Sequence, residues 1–198
     1  MGLPAAKLKP PRRATYADLE AVPSTKVAEL IEGTLYVMPR PALRHAKASS
    51  RLTMKLGSPF DLGEGGPGGW WILDEPELHF PDPTAPGEED ALGPDLVGWR
   101  RERVPVMPDA AYCTIAPDWI CEVVSPSTET HDRQVKMPIY AREGVRHAWL
   151  VDPIAKTLEV YALDAEGRWG EPMHHGGADV VRAAPFDAIG LDLSALWT

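Results

Sequence analysis

The chain has 198 residues, with 20 lysines and arginines against 29 aspartates and glutamates, so its formal net charge is −9 at pH 7. This charge counts against a protein whose main role is to grip nucleic acid, because such affinity rests on cationic side chains that meet phosphates. It does not exclude an enzyme that uses several acids to hold a metal. The longest apolar runs are too short to span a membrane, and the first residues lack the apolar segment of a secretion signal.

This length suits one domain with a substantial core. We expect a basic, flexible arm over residues 1–13 and a single domain over residues 14–198. Cys113 and Cys121 have no zinc-binding spacing. Because Cys121 lies within an apolar run, we expect a buried free thiol there and a cytoplasmic protein.

The N-terminal part predicts a helix, a strand and a longer helix. Thr15 suits an N-cap, with Asp18 at the capping-box position, so a short helix begins the fold. A strand is expected over residues 28–39, with a turn or bulge at Gly33. A helix is expected over residues 43–58, and its apolar stripe consists of Ala48, Leu52 and Leu56.

The remainder of the chain is mostly strands and connecting loops. Glycine-rich residues 61–69 read as a loop. Further strands are predicted over residues 70–80 (one or two), 94–99, 117–124, 146–153 and 156–163, with edge strands over 167–175 and 179–186. An acidic surface loop is expected over 81–93, a proline-rich loop over 100–112, a helix over 125–144 and a short helix or turn over 192–197. This order predicts a mixed α/β domain with a central sheet.

Two of these predicted strands each bring one acid into an apolar setting. Strand side chains alternate between faces, so Glu122 shares a face with Ile120 and Val124. Asp95 follows Pro94 at the start of another strand. A buried unpaired carboxylate is costly, so such a charge is usually paired or bound to a metal. Asp95 as a strand-start residue and Glu122 in a plain salt bridge are the structural alternatives.

The helix after Glu122 carries Asp132, Lys136 and Tyr140 at positions i, i+4 and i+8, which form one polar row. If that helix packs back onto the sheet, the row could meet Asp95 and Glu122. Carboxylate oxygens suit Mg²⁺, which polarises a phosphodiester and lowers the pKa of a bound water. A nearby ammonium can orient the water and stabilise charge on phosphorus. The alternative is that Lys136 only pairs with Asp132 on a solvated face.

The order of these motifs resembles the bacterial putative restriction endonuclease family of the PD-(D/E)XK nuclease superfamily. The matching features span residues 29–153: "ELIEG", His45, "PDLV", "EVVSPST", the row of Asp132, Lys136 and Tyr140, "GV" and "WLVDP". The resemblance implies a restriction-endonuclease-like core, in which helices flank a central mixed sheet and extra β hairpins follow. It also implies Asp95 and Glu122 as metal ligands, with a contribution from Glu29 or Glu32.

One position departs from the superfamily pattern. The superfamily has a lysine two residues after the strand acid, and Val124 stands there in this chain. The resemblance implies that the lysine has moved to the next helix, as Lys136. Pro138 cannot donate to the Gln134 carbonyl, so a kink is expected just after Lys136.

The sequence therefore predicts a Mg²⁺- or Mn²⁺-dependent endonuclease that hydrolyses DNA. The predicted catalytic residues are Glu29, Asp95, Glu122 and Lys136, with Asp95, Glu122 and Glu29 as metal ligands and Glu32, His45, Asp132 and Tyr140 in support. The alternatives are a non-catalytic domain of the same fold that binds a partner or nucleic acid, and a metal hydrolase that acts on another phosphate ester. We expect no membrane association, and a homodimer, because cutting both strands of a duplex favours two active sites.

Overall fold

The computed structural model describes residues 12–198, so most of the expected arm over residues 1–13 lies outside the described residues. The last two arm residues are held by ion pairs, Arg12 to Asp18 and Arg13 to Glu88. The helices are α1 (Tyr16–Glu20), α2 (Leu43–Leu56), α3 (Glu129–His131), α4 (Met137–Arg142) and α5 (Ser194–Trp197), with π-helical turns over Gly57–Leu62 and Asp132–Lys136. None of the helices in this part of the chain is long and apolar enough to cross a membrane.

The strands form two mixed sheets and a small ribbon, which confirms the predicted α/β class. They are β1 (Lys26–Ile31), β2 (Thr34–Pro39), β3 (Trp70–Asp74), β4 (Glu77–Pro81), β5 (Glu89–Leu92), β6 (Leu96–Arg100), β7 (Tyr112–Cys113), β8 (Trp119–Val123), β9 (His147–Asp152), β10 (Thr157–Ala162), β11 (Met173–Gly176), β12 (Val180–Val181) and β13 (Leu191–Asp192). The larger sheet has the order β11-β10-β9-β8-β6-β3, the smaller sheet β2-β1-β5-β4-β7, and β12 pairs with β13.

Strand β8 lies inside the larger sheet, antiparallel to β6 and parallel to β9. A parallel neighbour requires a crossover connection, which the helical segment over residues 129–142 supplies. Trp119, Cys121 and Val123 face the cluster that contains the apolar stripe of α2. Ile120 and Val124 face a second cluster with α4 and the smaller sheet. The predicted alternation along β8 and the predicted helical stripe are therefore confirmed.

The predicted strand over residues 28–39 is a hairpin of β1 and β2, and the turn or bulge predicted at Gly33 is a turn. Its two-residue turn consists of Glu32 and Gly33, both in the left-handed region at φ of 48° and 68°. Turns of this hand match the twist of paired strands, which is why a two-residue loop can reverse the chain here. The predicted segment over 70–80 forms two strands, β3 and β4, which belong to different sheets.

The predicted acidic surface loop over residues 81–93 is wrong in its second half, which forms β5. Asp90 in this strand is fully buried. Its carboxylate accepts hydrogen bonds from the Glu32 N–H at 2.7 Å and from Arg142 at 3.1 Å. These partners make burial of the charge tolerable, and residue type alone does not reveal them.

The predicted helix over residues 125–144 consists of α3, a π-helical turn and α4. Pro138 lies in the first turn of α4, directly after the widened turn that ends at Lys136. The change from π-helical to α-helical geometry therefore lies just after Lys136, where Pro138 led us to expect a kink. The β9–β10 hairpin and the short C-terminal helix are confirmed. Cys121 is a buried free thiol, as predicted, and so is Cys113.

Candidate active site

A cavity of about 370 Å³ opens beside the C-terminal end of β8. Four acids line it: Glu29, Asp95, Glu122 and Asp132. Three basic side chains line it as well: Arg40, His45 and Lys136. The cavity thus combines a surplus of carboxylates with basic groups that come from distant parts of the chain, and we call it the acid cavity.

Different elements carry these side chains to the acid cavity. Glu29 lies on β1 of the smaller sheet, whereas Glu122 lies on β8 of the larger one. Asp95 directly precedes β6, the antiparallel neighbour of β8. The π-helical turn supplies Asp132 and Lys136. The site therefore forms where the two sheets and the helical crossover meet.

Lys136 connects the two glutamates of the acid cavity. Its Nζ lies 2.9 Å from Glu29 Oε1 and 2.8 Å from Glu122 Oε1, and it donates to the Gly93 carbonyl at 3.1 Å. The side chain is almost completely buried. Burial alone would lower the pKa of Lys136, but Glu122 and Glu29 outweigh it and raise the pKa well above the ordinary value. The ammonium is therefore held as a cation, rather than paired with Asp132 on a solvated face.

Glu29 is bound on both carboxylate oxygens. Gly93 N–H donates to Oε1 at 2.9 Å, and His131 Nε2 lies 2.6 Å from Oε2. Burial raises the pKa of Glu29, but Lys136, His131 and the Gly93 amide together lower it to about 2. This carboxylate is charged at neutral pH although it is buried.

Glu122 has fewer stabilising partners than Glu29, although both share Lys136. The Tyr140 hydroxyl donates to Glu122 Oε1 at 2.6 Å. Burial raises the pKa of Glu122 well above its ordinary value, and the nearby carboxylates of Asp132 and Asp95 act in the same direction, against Lys136. The two glutamates differ because Glu29 accepts more hydrogen bonds while Glu122 faces more like charge.

Asp95 is fixed between a strand and a helix. Its Oδ2 accepts the Val123 N–H at 2.7 Å, and its Oδ1 lies 3.2 Å from His45 Nε2 in the first turn of α2. Burial would lower the pKa of His45, but Asp95 outweighs it and raises the pKa. The Pro94-Asp95 dipeptide is therefore more than a strand start, because its carboxylate links β8 to α2 beside the acid cavity.

The structure thus brings Glu29, Asp95, Glu122, His45, Asp132, Lys136 and Tyr140 together. Burial raises the pKa of Asp132, and the neighbouring acids Asp95 and Glu29 add to that effect against Lys136. Glu32 does not join them, because it is exposed on the β1–β2 turn and does not line the cavity. Val124 is buried in the apolar cluster on the α4 side of the sheet, away from the cavity lining.

Two features of the site were missed by sequence reasoning. His131 contacts Glu29 across 102 positions of sequence and packs on Tyr36, with ring centroids 4.5 Å apart. Arg40 lines the mouth of the cavity from the segment between β2 and α2. The position of His131, directly before Asp132, was a usable signal in the sequence. No local pattern indicated a role for Arg40.

The donor set suits a hard cation. Among residues 12–198, no three His, Cys, Asp or Glu side chains are already arranged around one ion position. Mg²⁺ needs less than that, since it is commonly held by one or two carboxylates together with waters and substrate phosphates. Asp95 and Glu122 could supply the two carboxylates, and the four acids of the lining outnumber its three basic side chains, a surplus that a divalent cation would offset.

Comparisons with known proteins identify a family and a shared fold. The family model Uma2, described as "Putative restriction endonuclease", matches residues 13–195. A crystal structure of "a putative nuclease belonging to DUF820 from Anabaena variabilis ATCC 29413" is similar, with a TM-score of 0.71 and 22% sequence identity, over 92% of this chain and 97% of that one. That likeness shows a shared fold, in agreement with the prediction. No curated protein matches the sequence significantly.

Proposed function

Since the chain belongs to the Uma2 family of restriction-endonuclease-like proteins, we propose that it is a metal-dependent endonuclease that hydrolyses DNA phosphodiester bonds. One observation carries the proposal: a buried lysine joins Glu29 and Glu122 in a cavity that Asp95 and Asp132 also line. Structural ion pairs do not need surplus acids beside a cavity. A site for a cation and an anionic substrate does.

Asp95 and Glu122 would hold Mg²⁺ or Mn²⁺, and Glu29 would complete or support the site. When bound, such an ion supplies Lewis-acid polarisation of a phosphodiester and lowers the pKa of water. His45 and the Val123 amide fix the Asp95 carboxylate, and the Tyr140 hydroxyl fixes Glu122. Such outer contacts preserve the orientation of the ligands before the substrate arrives.

Lys136 has two roles in this proposal. Its ammonium holds Glu29 and Glu122 together at 2.9 and 2.8 Å, which limits the repulsion between the two acids. Because its pKa is raised, it remains a cation while the phosphodiester is attacked. Its positive charge can then stabilise the negative charge that builds on the phosphoryl oxygens. All three N–H groups of the ammonium have acceptors in Glu29, Glu122 and the Gly93 carbonyl, so orienting the attacking water requires it to exchange one of these partners.

A second candidate function is a non-catalytic domain that keeps the fold and binds a partner. The contacts of Lys136 favour it, because one ammonium already pairs with an oxygen of each glutamate. This candidate predicts no metal binding at the site. The endonuclease proposal predicts that a divalent ion binds alongside the lysine.

The experiment that separates these functions measures cleavage of plasmid, linear duplex and single-stranded DNA, with Mg²⁺ or with EDTA, together with Mg²⁺ binding by calorimetry. We expect cleavage only with Mg²⁺, and loss of both cleavage and binding in Glu122→Gln. Glu89→Gln, which removes an acid outside the cavity lining, is the matched control and retains both. If Mg²⁺ binds but no DNA is cleaved, the remaining enzymatic function is hydrolysis of another phosphate ester. If Mg²⁺ does not bind, the non-catalytic domain is favoured.

The homodimer expected from double-strand cleavage remains part of the proposal. Light scattering of the purified chain measures it directly, and a monomer at the concentration of the cleavage assay would contradict it.

A further inference from the structure

We infer that Arg40 binds the DNA phosphate next to the scissile bond, at the mouth of the acid cavity. This inference rests on the proposed function and adds a residue that recognises the substrate. It starts from a charge imbalance. Each phosphodiester of DNA carries a negative charge, and the cavity it would enter is lined by four carboxylates.

The basic side chains of the cavity are not equally free to meet that charge. Lys136 pairs with Glu29 and Glu122, and His45 pairs with Asp95. Arg40 makes no ion pair with any carboxylate of residues 12–198, and its only described partner is the Ser24 carbonyl. Among the cavity-lining side chains that the structure describes, Arg40 is thus the one cation without an acidic partner.

The guanidinium of Arg40 is already oriented. Its Nε and Nη2 donate to the Ser24 carbonyl at 3.2 and 2.7 Å, which fixes one edge of the plane. Arginine has five N–H donors, so three remain, on Nη1 and on the outer side of Nη2. That free edge is the fork that binds two phosphate oxygens at once.

The segment around Arg40 is open to solvent. Met38, Pro39, Pro41 and Ala42 line the cavity beside it, and Pro39, Arg40, Pro41 and Ala42 are exposed. The free edge of the guanidinium is therefore accessible to a phosphate that approaches from solvent. The backbone anchor also reduces the conformational entropy lost on binding.

The test compares Arg40→Gln with Arg182→Gln. Arg182 is the matched control, because it is exposed, donates to the carbonyls of Asp187 and Ala188 and does not line the cavity. With Mg²⁺ and an oligonucleotide duplex, we expect Arg40→Gln to raise KM by about tenfold, since a charge-assisted pair is lost, with kcat within about twofold. The slope of log(1/KM) against log[salt] should flatten by about 0.9. Arg182→Gln should change neither quantity.

A substrate modification gives a second test that requires no folded variant. Neutral methylphosphonate linkages are placed one at a time beside the scissile bond. One position should weaken binding to the wild type about tenfold and have no further effect in Arg40→Gln. Equal losses in both proteins at every position, or Arg40→Gln kinetics equal to those of Arg182→Gln, would overturn the inference while cleavage by the wild type upholds the proposed function. If the wild type neither cleaves nor binds the duplex, both are wrong.

Discussion

Within residues 12–198, a buried basic side chain lies between two glutamates at two places. At the Lys136 site, the ammonium lies between Glu29 and Glu122. At the His79 site, the ring nitrogens of His79 lie 2.7 Å from Glu77 Oε1 and 2.9 Å from Glu89 Oε2. The local pairing is alike, and in both sites the basic group is almost fully buried.

The two sites differ in where the acids lie. Glu77 and Glu89 are 32% and 51% exposed, so water stabilises their charges. Glu29 and Glu122 are 1% and 3% exposed. Two further acids line the same cavity as this second pair. A buried basic group between acids is thus not in itself a sign of function. The surplus of desolvated acids beside a cavity is what separates the Lys136 site from an ordinary structural pair.

The largest expected effect is the difference in DNA cleavage rate between a variant of Lys136 and a variant of His79. Lys136→Met should lower the rate of DNA cleavage by ~10²–10³, because the ammonium meets charge in the transition state. His79→Gln should leave the rate within about twofold. Removal of Lys136 takes the ammonium away from two buried carboxylates and lowers stability. The rates are therefore compared at a temperature at which circular dichroism shows both variants folded. Equal rates would place Lys136 in the same structural class as His79.

The next effect concerns metal binding and stability. Because the unfolded chain lacks an assembled site, Mg²⁺ at 100 times its Kd should stabilise the fold by about 2.7 kcal/mol, or ~5–10 °C in Tm for a chain of this size. Differential scanning fluorimetry measures the shift. Glu122→Gln should abolish it and Glu89→Gln should retain it. The same shift in Glu122→Gln would mean that the ion binds elsewhere.

A smaller effect is expected from the histidine that holds Asp95. His45→Gln should weaken Mg²⁺ binding by about tenfold in calorimetry, because partners of ligating carboxylates typically contribute factors of this size. His79→Gln, the counterpart from the other site, should bind Mg²⁺ like the wild type. Unchanged affinity in His45→Gln would show that the 3.2 Å contact with Asp95 does not orient a ligand.

The smallest effect lies at the His79 site itself. Glu89→Gln should lower the free energy of unfolding by less than about 1 kcal/mol, since its carboxylate is half exposed and well solvated. Urea unfolding measures this change. A loss of several kcal/mol would show that the His79 site is as desolvated as the Lys136 site, and the contrast between them would disappear.

Local patterns predict the parts of this fold that depend on periodicity. The alternation along β8 and the stripe of α2 follow from the spacing of apolar residues, so both could be read from sequence. Composition misled at Asp90, where acidic neighbours indicated a loop. The buried strand there depends on Arg142 and on the Glu32 amide, 52 and 58 positions away. Such distant partners leave no local signal.

The candidate site divides in the same way. Glu122 stood out because an acid in an apolar strand requires a partner, and the row of Asp132, Lys136 and Tyr140 follows from helical spacing. The sequence does not distinguish Glu29 from Glu32 as the acid of the site. In the structure, Glu32 lies in the exposed hairpin turn, whereas Glu29 lies on β1 and is buried. His131 and Arg40 could not be placed because their roles arise from tertiary contacts alone.

The most direct test of the central claim is anomalous diffraction from crystals of the protein soaked in Mn²⁺. We expect an ion in the acid cavity, within about 2.2 Å of carboxylate oxygens of both Asp95 and Glu122, with Lys136 nearby. No ion at these carboxylates, or an ion only at Glu77 and Glu89, would contradict it.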